Sequence, residues 1–379
     1  MEELFTHNGK KIKKLGFGCM RLPMKNDHEI DMNEFREMVD IYLSSGYCYF
    51  DTAHGYHKQQ SEIALGEILS EGFKRDDFLL ATKLPAWKHY IHDADQARQI
   101  FYSSLSRLKT DYIDYYLFQN MGEERTRCFG TYNLWPFVKN LKDDGVIRHF
   151  GVSVHDGPEH IRYLLDKYPQ IEFIQLQINY ADWFSSSIKS KQCYEIAREY
   201  SKPIIVMEPL KGGMLINLPE SIQKILDESE EKTSNAKLGF RFLERLEGIP
   251  LILSGMSNKE QVIDNIRIFN ELETENNKDI KLIEAAGIAL NEMDSIKCTA
   301  CNYCIEECQS KVKIPKILNA MNMEKIFKNR HMAEHIYFSN VFLEGKASAC
   351  IGCGSCERVC PQHIEIRKYM KEAVDYFGE

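Results

Sequence analysis

Between residues 15 and 272, short runs rich in β-branched, aromatic and aliphatic residues alternate with longer segments whose apolar positions recur every three to four residues. The short runs, Leu15–Gly18, Tyr47–Ala53, Phe78–Leu84, Tyr112–Phe118, His149–His155, Glu172–Ile178, Pro203–Pro209 and Pro250–Met256, predict strands. Helical periodicity predicts helices over Asn33–Ser45, Ser61–Ser70, Asp95–Leu108, Leu134–Asp143 and Val262–Leu272. Strands alternating with helices signal a parallel sheet wrapped in helices, and eight such units fit a (β/α)8 TIM barrel, whose usual size is about 250 residues. A doubly wound open sheet would normally bring a G-x-G-x-x-G turn, which this chain does not contain. The expected domains are a barrel over 1–272, a linker and helix over 273–294, and a small, mainly helical domain over 295–379. Glu271–Lys281, acidic and polar, reads as the boundary, and helices are expected at Leu282–Met293 and Ile314–Lys328.

The tail changes the picture. Cys298, Cys301, Cys304 and Cys308 form one C-x2-C-x2-C-x3-C run; Cys350, Cys353, Cys356 and Cys360 form a second, followed by Pro361. That spacing wraps a short loop of thiolates around a [4Fe–4S] cluster. In two-cluster ferredoxins the fourth cysteine of each run reaches across to the other cluster. One cluster is therefore expected on Cys298, Cys301, Cys304 and Cys360, the other on Cys350, Cys353, Cys356 and Cys308. Zinc sites use two separated C-x2-C pairs rather than two runs of four, and disulfides are disfavoured without a secretory leader. Gln309 stands where a proline usually follows the first run. The runs lie farther apart than in compact ferredoxins and are similar to the helical ferredoxin modules appended to larger redox enzymes. The other cysteines, Cys19, Cys48, Cys128 and Cys193, read as buried small hydrophobes.

A net charge of -8 argues against nucleic acid as a partner. The N-terminal segment has no signal-peptide core and no apolar run is long enough to span a membrane, so a cytoplasmic protein with no membrane partner is expected.

In a barrel the chemistry sits where strands end. The rim residues are then Asp51 and Tyr56, Lys83, Gln119, Ser153 and His155, Gln177 and Asn179, Glu208, Ser254 and Ser257. Asp, Lys and Tyr at one mouth make a phenol a usable acid, because an adjacent ammonium lowers a phenol pKa that is otherwise about 10. His54 and His57 flank Tyr56 and are candidates for substrate binding, with a solvated loop as the plain alternative. Asn120–Tyr132 reads as a long loop over the barrel mouth, with Arg125 and Arg127 available to an acidic substrate.

The segment Phe50-Asp51-Thr52-Ala53-His54-Gly55-Tyr56 with Leu65-Gly66, the strand Ala81-Thr82-Lys83, and Tyr112-Ile113-Asp114-Tyr115-Tyr116-Leu117 resemble signatures of the aldo/keto reductase family, over about residues 1–270. With its tail, the chain resembles the branch carrying a C-terminal ferredoxin domain. The resemblance implies hydride transfer between NAD(P)H and a carbonyl or the corresponding alcohol, with Tyr56 as general acid. It also implies Ser153 and Gln177 at the nicotinamide amide and Asn265 at the adenine end, while Glu208 resembles a position facing cofactor. The family's histidine falls at Gln119, beside Asn120, and its stacking aromatic is replaced by Met207. Its 2′-phosphate clamp falls at Gly255 and Gln261, which tilts the cofactor from NADP toward NADH, although Lys259 lies near.

An NAD(P)H-linked oxidoreductase with two [4Fe–4S] clusters is thus expected to act on a small-molecule carbonyl, with an external electron-transfer protein as a possible partner. The alternative, motivated by Gln119, is an iron–sulfur electron-transfer or redox-sensing protein whose barrel no longer turns over.

Overall fold

The computed structural model describes residues 4–26, 29–85, 91–229, 231–272, 279–342 and 344–378; of residues 123–126, 327 and 340 it describes only the backbone. Eight parallel strands close into a barrel: β1 Leu15–Gly18, β2 Tyr49–Asp51, β3 Leu79–Leu84, β4 Ile113–Met121, β5 Ile147–Val154, β6 Phe173–Gln177, β7 Ile204–Met207 and β8 Leu251–Gly255. Each strand pairs with its neighbours in chain order, and β8 pairs with β1. Helices cover the outer face of such strands and the packed barrel interior covers the inner one, so β3 and β4 are buried at every position and lack the alternation of a one-sided sheet.

The strand ends of the barrel are filled differently. At the N-terminal end Phe5 stacks on Tyr115 with centroids 5.6 Å apart and meets Phe173 edge-on at 6.1 Å. The Tyr115 hydroxyl donates to the Leu4 carbonyl. Phe5, Ile12, Tyr49, Leu117, Ile205 and Leu251 belong to one apolar cluster that closes this end. Polar residues gather instead toward the opposite end, where Asp51, Lys83, Ser153 and Gln177 are all buried.

One sequence expectation is corrected. β4 runs on to Met121 rather than stopping at Phe118, and the segment expected as a loop contains a helix, Glu123–Thr131. Phe129 stacks on Phe118 with centroids 4.0 Å apart, a contact between two elements that no local pattern announces. Arg127 is exposed, and the side chain of Arg125 lies outside the described residues. Of the expected boundary Glu271–Lys281, residues 273–278 also lie outside them.

The chain divides into two compact units: Met1–Asn179, Lys189–Pro209 and Ala236–Lys278 form the first, and Tyr180–Ile188, Leu210–Asn235 and Asp279–Glu379 the second. The first contains all eight barrel strands. The second joins the tail helices Ile280–Glu292, Ile314–Phe327, Arg330–Asn340 and Ile366–Phe377 to segments that follow β6 and β7. A Cβ at Gly287 would stand 2.2 Å from the Tyr180 carbonyl oxygen, so only glycine admits this approach of helix to loop. Further along, Ile317, Leu318, Tyr337, Ile366, Met370 and Phe377 share a core with Cys304 and Cys356. Tyr337 and Phe377 stack there at 3.9 Å.

Replacing Phe5 with Ala removes the ring that closes the barrel base, and a loss of about 3 kcal/mol is expected. Urea unfolding followed by the near-ultraviolet signal of the aromatic cluster measures it.

Candidate active site and cysteine-lined site

Asp51 ends β2 and stands opposite Ala81 of β3, so Lys83, two residues on, projects from the same face of the neighbouring strand. The Lys83 ammonium donates to Asp51 Oδ1 at 2.5 Å and to the Thr52 carbonyl at 2.8 Å, and lies 5.1 Å from the centroid of the Tyr56 ring. Both ionic side chains are withdrawn from water, with Asp51 3% and Lys83 2% exposed. Burial pushes the Asp51 carboxyl above its ordinary value, while the Lys83 ammonium and the Gln175 amide, 3.4 Å from Oδ2, oppose the rise. The expected Asp–Lys–Tyr group is therefore assembled, with Tyr56 half-buried at its edge.

The backbone after Tyr56 is strained. His57, Lys58 and Gln59 take φ of 49°, 53° and 74°, the left-handed region, which costs about 1–2 kcal/mol per residue. Tertiary contacts hold the turn in place. His57 Nε2 accepts from the Leu22 amide at 3.3 Å, which gives this histidine a structural contact to the β1 loop. Ser61 Oγ donates to the Cys19 carbonyl at 3.0 Å and shares a 2.8 Å bond with Thr52 Oγ1. His54 is buried, and Arg107 donates to its Nδ1 at 2.8 Å. A guanidinium cannot accept a proton, so the neutral His54 ring carries its hydrogen on Nε2. Arg107 also bonds Glu62 Oε2 at 2.7 Å, and Thr82 Oγ1 donates to the other Glu62 oxygen at 2.5 Å. Glu62 and Arg107 thus link the loop carrying Tyr56 to the strand carrying Lys83.

Gln119 and Asn120 are buried on β4, with Asn120 at a φ of 56° that asparagine tolerates. Ser153, Gln177 and Met207 come together: Gln177 pairs in register with Met207, and Ser153 Oγ lies 3.9 Å from the Met207 sulfur. Glu208 has a φ of 55°, receives the Asn179 amide on its backbone oxygen at 3.0 Å, and accepts from Arg21 at 3.1 Å. Its second carboxylate oxygen is buried with no hydrogen-bond partner among the described residues, and it can accept from a hydroxyl donor. The Ser257 hydroxyl donates to the Arg21 carbonyl at 2.9 Å, and Asn265 is buried against Ser254 Oγ at 2.9 Å. The Lys259 ammonium donates to Glu37 at 2.9 Å in an exposed ion pair. Arg21 escaped the sequence reading. The signal was a basic residue just past the first strand, which only the β7 and β8 contacts make meaningful.

Eight cysteines stand in the two runs of the tail. The Cys304 thiol feels those of Cys301, Cys298, Cys360 and Cys356, and the Cys356 thiol feels the Glu357 carboxylate and the thiols of Cys350, Cys308 and Cys353. The fourth cysteine of each run, Cys308 or Cys360, is thus within electrostatic reach of a buried thiol of the other run. Burial pushes the Cys304 thiol far up and the Cys356 thiol to about 11, so neither ionises in water at neutral pH without a cation to bind it. Among the described residues no three Cys, His, Asp or Glu side chains are close enough to hold a single metal ion. Of the remaining cysteines, Cys19 and Cys193 are buried as expected, whereas Cys48 and Cys128 are half-buried.

Residues 14–286 match the aldo/keto reductase family, and residues 297–365 match the 4Fe-4S dicluster domain. The barrel with this match makes the chain an oxidoreductase; it belongs to the aldo/keto reductase family and carries a C-terminal 4Fe–4S dicluster domain. An uncharacterized oxidoreductase of Bacillus subtilis, YqkF, is 25% identical over 298 residues, covering 68% of this chain and 88% of that protein. Glyoxal reductase of the same organism is 25% identical over 271 residues, 70% of this chain and 86% of the relative. The holo form of aldo-keto reductase AKR11C1 from Bacillus halodurans superposes with a TM-score of 0.59 at 25% identity, covering 74% of this chain and 94% of that one. Among the described residues no helix is long and apolar enough to cross a membrane.

Burial holds the His57 imidazole below its ordinary value, partly opposed by a hydrogen bond to the Met20 backbone. On unfolding, His57 takes up a proton near its ordinary pKa of about 6.5 that it does not hold when folded. Stability is therefore expected to fall as pH drops from about 7 toward 5, and His57→Gln should flatten that limb of a melting-temperature profile.

Proposed function

We propose that this protein interconverts an aldehyde or ketone and its alcohol by hydride transfer, with Tyr56 as the acid. The observation that carries the reading is the buried Lys83–Asp51 pair with its ammonium 5.1 Å from the Tyr56 ring. A positive charge there favours the phenolate left behind when Tyr56 gives its proton to the carbonyl oxygen. Asp51 holds the ammonium in place. Gln119 offers an amide hydrogen to the same oxygen without titrating, which makes it a weaker polariser than a protonated imidazole. Ser153 and Gln177 hold the carboxamide of the nicotinamide, Met207 packs on its ring, Glu208 takes a hydroxyl of the cofactor, and Ser257 and Asn265 lie toward the adenine end. When bound, the reduced nicotinamide supplies the hydride. Gly255 and Gln261 stand where the family carries its 2′-phosphate clamp and bring no guanidinium or ammonium of their own, which supports NADH over NADPH. The name of the relative glyoxal reductase supports a small carbonyl substrate.

In the tail, Cys298, Cys301, Cys304 and Cys360 hold one [4Fe–4S] cluster, and Cys350, Cys353, Cys356 and Cys308 the other. The grouping of thiols around Cys304 and Cys356 supports that assignment, since iron supplies the charge that burial denies a lone thiolate. Such clusters supply one-electron exchange, for which an external electron-transfer protein is the partner, in the cytoplasm.

Tyr56→Phe is expected to lower kcat for carbonyl reduction by about 10²–10⁴ with cofactor affinity unchanged, measured by stopped-flow absorbance and cofactor titration. Undiminished reduction would defeat the proposal. Gln119→His should raise kcat by about tenfold or more, by restoring a stronger polariser. Cys298→Ser together with Cys301→Ser should remove about half of the iron and acid-labile sulfide, assayed on anaerobically purified protein.

A further inference from the structure

A cavity of about 320 Å³, at the lower end of the size of ligand pockets, lies within the second compact unit. Neither Tyr56, Lys83 nor any other residue of the proposed active site lines it. Its apolar wall includes Met214, Leu215, Leu290, Met293, Met323 and Ile326. Three methionines in one wall favour an aromatic guest, because thioether sulfur is polarisable and packs well against ring edges.

The polar part of the lining carries two lysines, the Asp182 carboxylate and several amides. Lys211 is buried and paired with Asp182. Lys297 donates to the Leu290 carbonyl at 2.7 Å and to Ser295 Oγ, so its hydrogen-bond partners are neutral oxygens. Asn217 and Asn319 also line the cavity, are exposed, and offer amides that both donate and accept. Such a set suits carbonyl oxygens on a flat ring and favours the electron-rich form of that ring. Cys298, a proposed cluster ligand, completes the wall.

We infer that this cavity binds a planar conjugated carbonyl compound, a flavin ring or a quinone, beside the cluster held by Cys298. The choice of a redox-active ring rests on the cluster reading. A one-electron centre and a two-electron hydride chemistry are present in one chain, and rings of this class accept electrons either singly or in pairs. The bland reading of Lys297 is that it only caps the last carbonyls of the helix Ile280–Glu292.

The test titrates anaerobically purified full-length protein, after iron and sulfide analysis, with riboflavin, FMN and menadione by isothermal titration calorimetry. Binding of at least one probe with a dissociation constant of about 10 µM or tighter is expected, and a flavin-only or quinone-only response identifies the source. Leu290→Trp fills the cavity and Lys297→Met removes the cation; each should weaken binding by about tenfold or more without changing iron content. A bound probe should also alter the electron paramagnetic resonance signal of the dithionite-reduced protein. No binding by protein with full iron content overturns the inference and leaves the clusters standing. Binding that neither variant weakens places the ligand elsewhere and also overturns it. Cavity-dependent binding by a chain devoid of iron and sulfide would sink the cluster reading while upholding the site.

Discussion

A charge pair kept from water is the constraint on which the barrel's mouth depends. Removing one partner of such a pair typically costs about 3–5 kcal/mol, because the charge left behind stays buried and unmatched. Lys83 and Asp51 can meet only if β2 and β3 keep the register that sets Asp51 opposite Ala81. A slip of one residue would turn Lys83 out of the barrel and leave Asp51 alone inside. The pair therefore selects the strand alignment as well as the chemistry. Tyr56 inherits its position from the same alignment, through a short loop whose far side is a left-handed turn.

That turn shows how the surrounding structure sustains local strain. Three consecutive non-glycine residues with positive φ would not persist in an isolated loop. They persist here because His57 reaches the Leu22 amide, Ser61 reaches the Cys19 carbonyl, and the helix Gln60–Gly72 begins directly afterwards. Glu62 on that helix, with Arg107, then locks His54 and Thr82, residues adjoining the loop and strand that carry the proposed acid and its cation. Rigidity around the phenol is thus spread over several elements, none of which needs to touch a substrate.

In the tail the balance of forces differs. Cys304 and Cys356 sit in an apolar core, where a thiolate has no solvation and a thiol has little to bond. On the proposed assignment of these thiols to iron, a cation at the centre of this core would complete its stability and couple folding to metal binding. The aromatic stack of Tyr337 on Phe377 and the helices around it supply a frame, but the cysteine loops themselves contain only four-residue helices, Tyr303–Glu306 and Ser355–Arg358.

By itself the sequence was enough for the eight strands, the closed barrel and the 4Fe–4S dicluster domain, because these depend on short-range periodicity and spacing. Each strand is a compact apolar run, and C-x2-C-x2-C-x3-C encodes a loop whose ligands lie within eleven residues of one another. It also placed Asp51, Tyr56 and Lys83 on one rim, since strand ends define that rim. The helix Glu123–Thr131 was not legible, because its reason for forming is the distant face of Phe118. Nor was the role of Arg21, which acquires meaning only when Glu208 and Ser257, far away in the chain, come within hydrogen-bond reach. His54 and His57 looked equivalent as letters and were separated only by their partners, a guanidinium for one and a backbone amide for the other. Periodicity is written residue by residue along the chain; the partner of a buried polar group is chosen by packing, and that is decided only when the whole barrel closes.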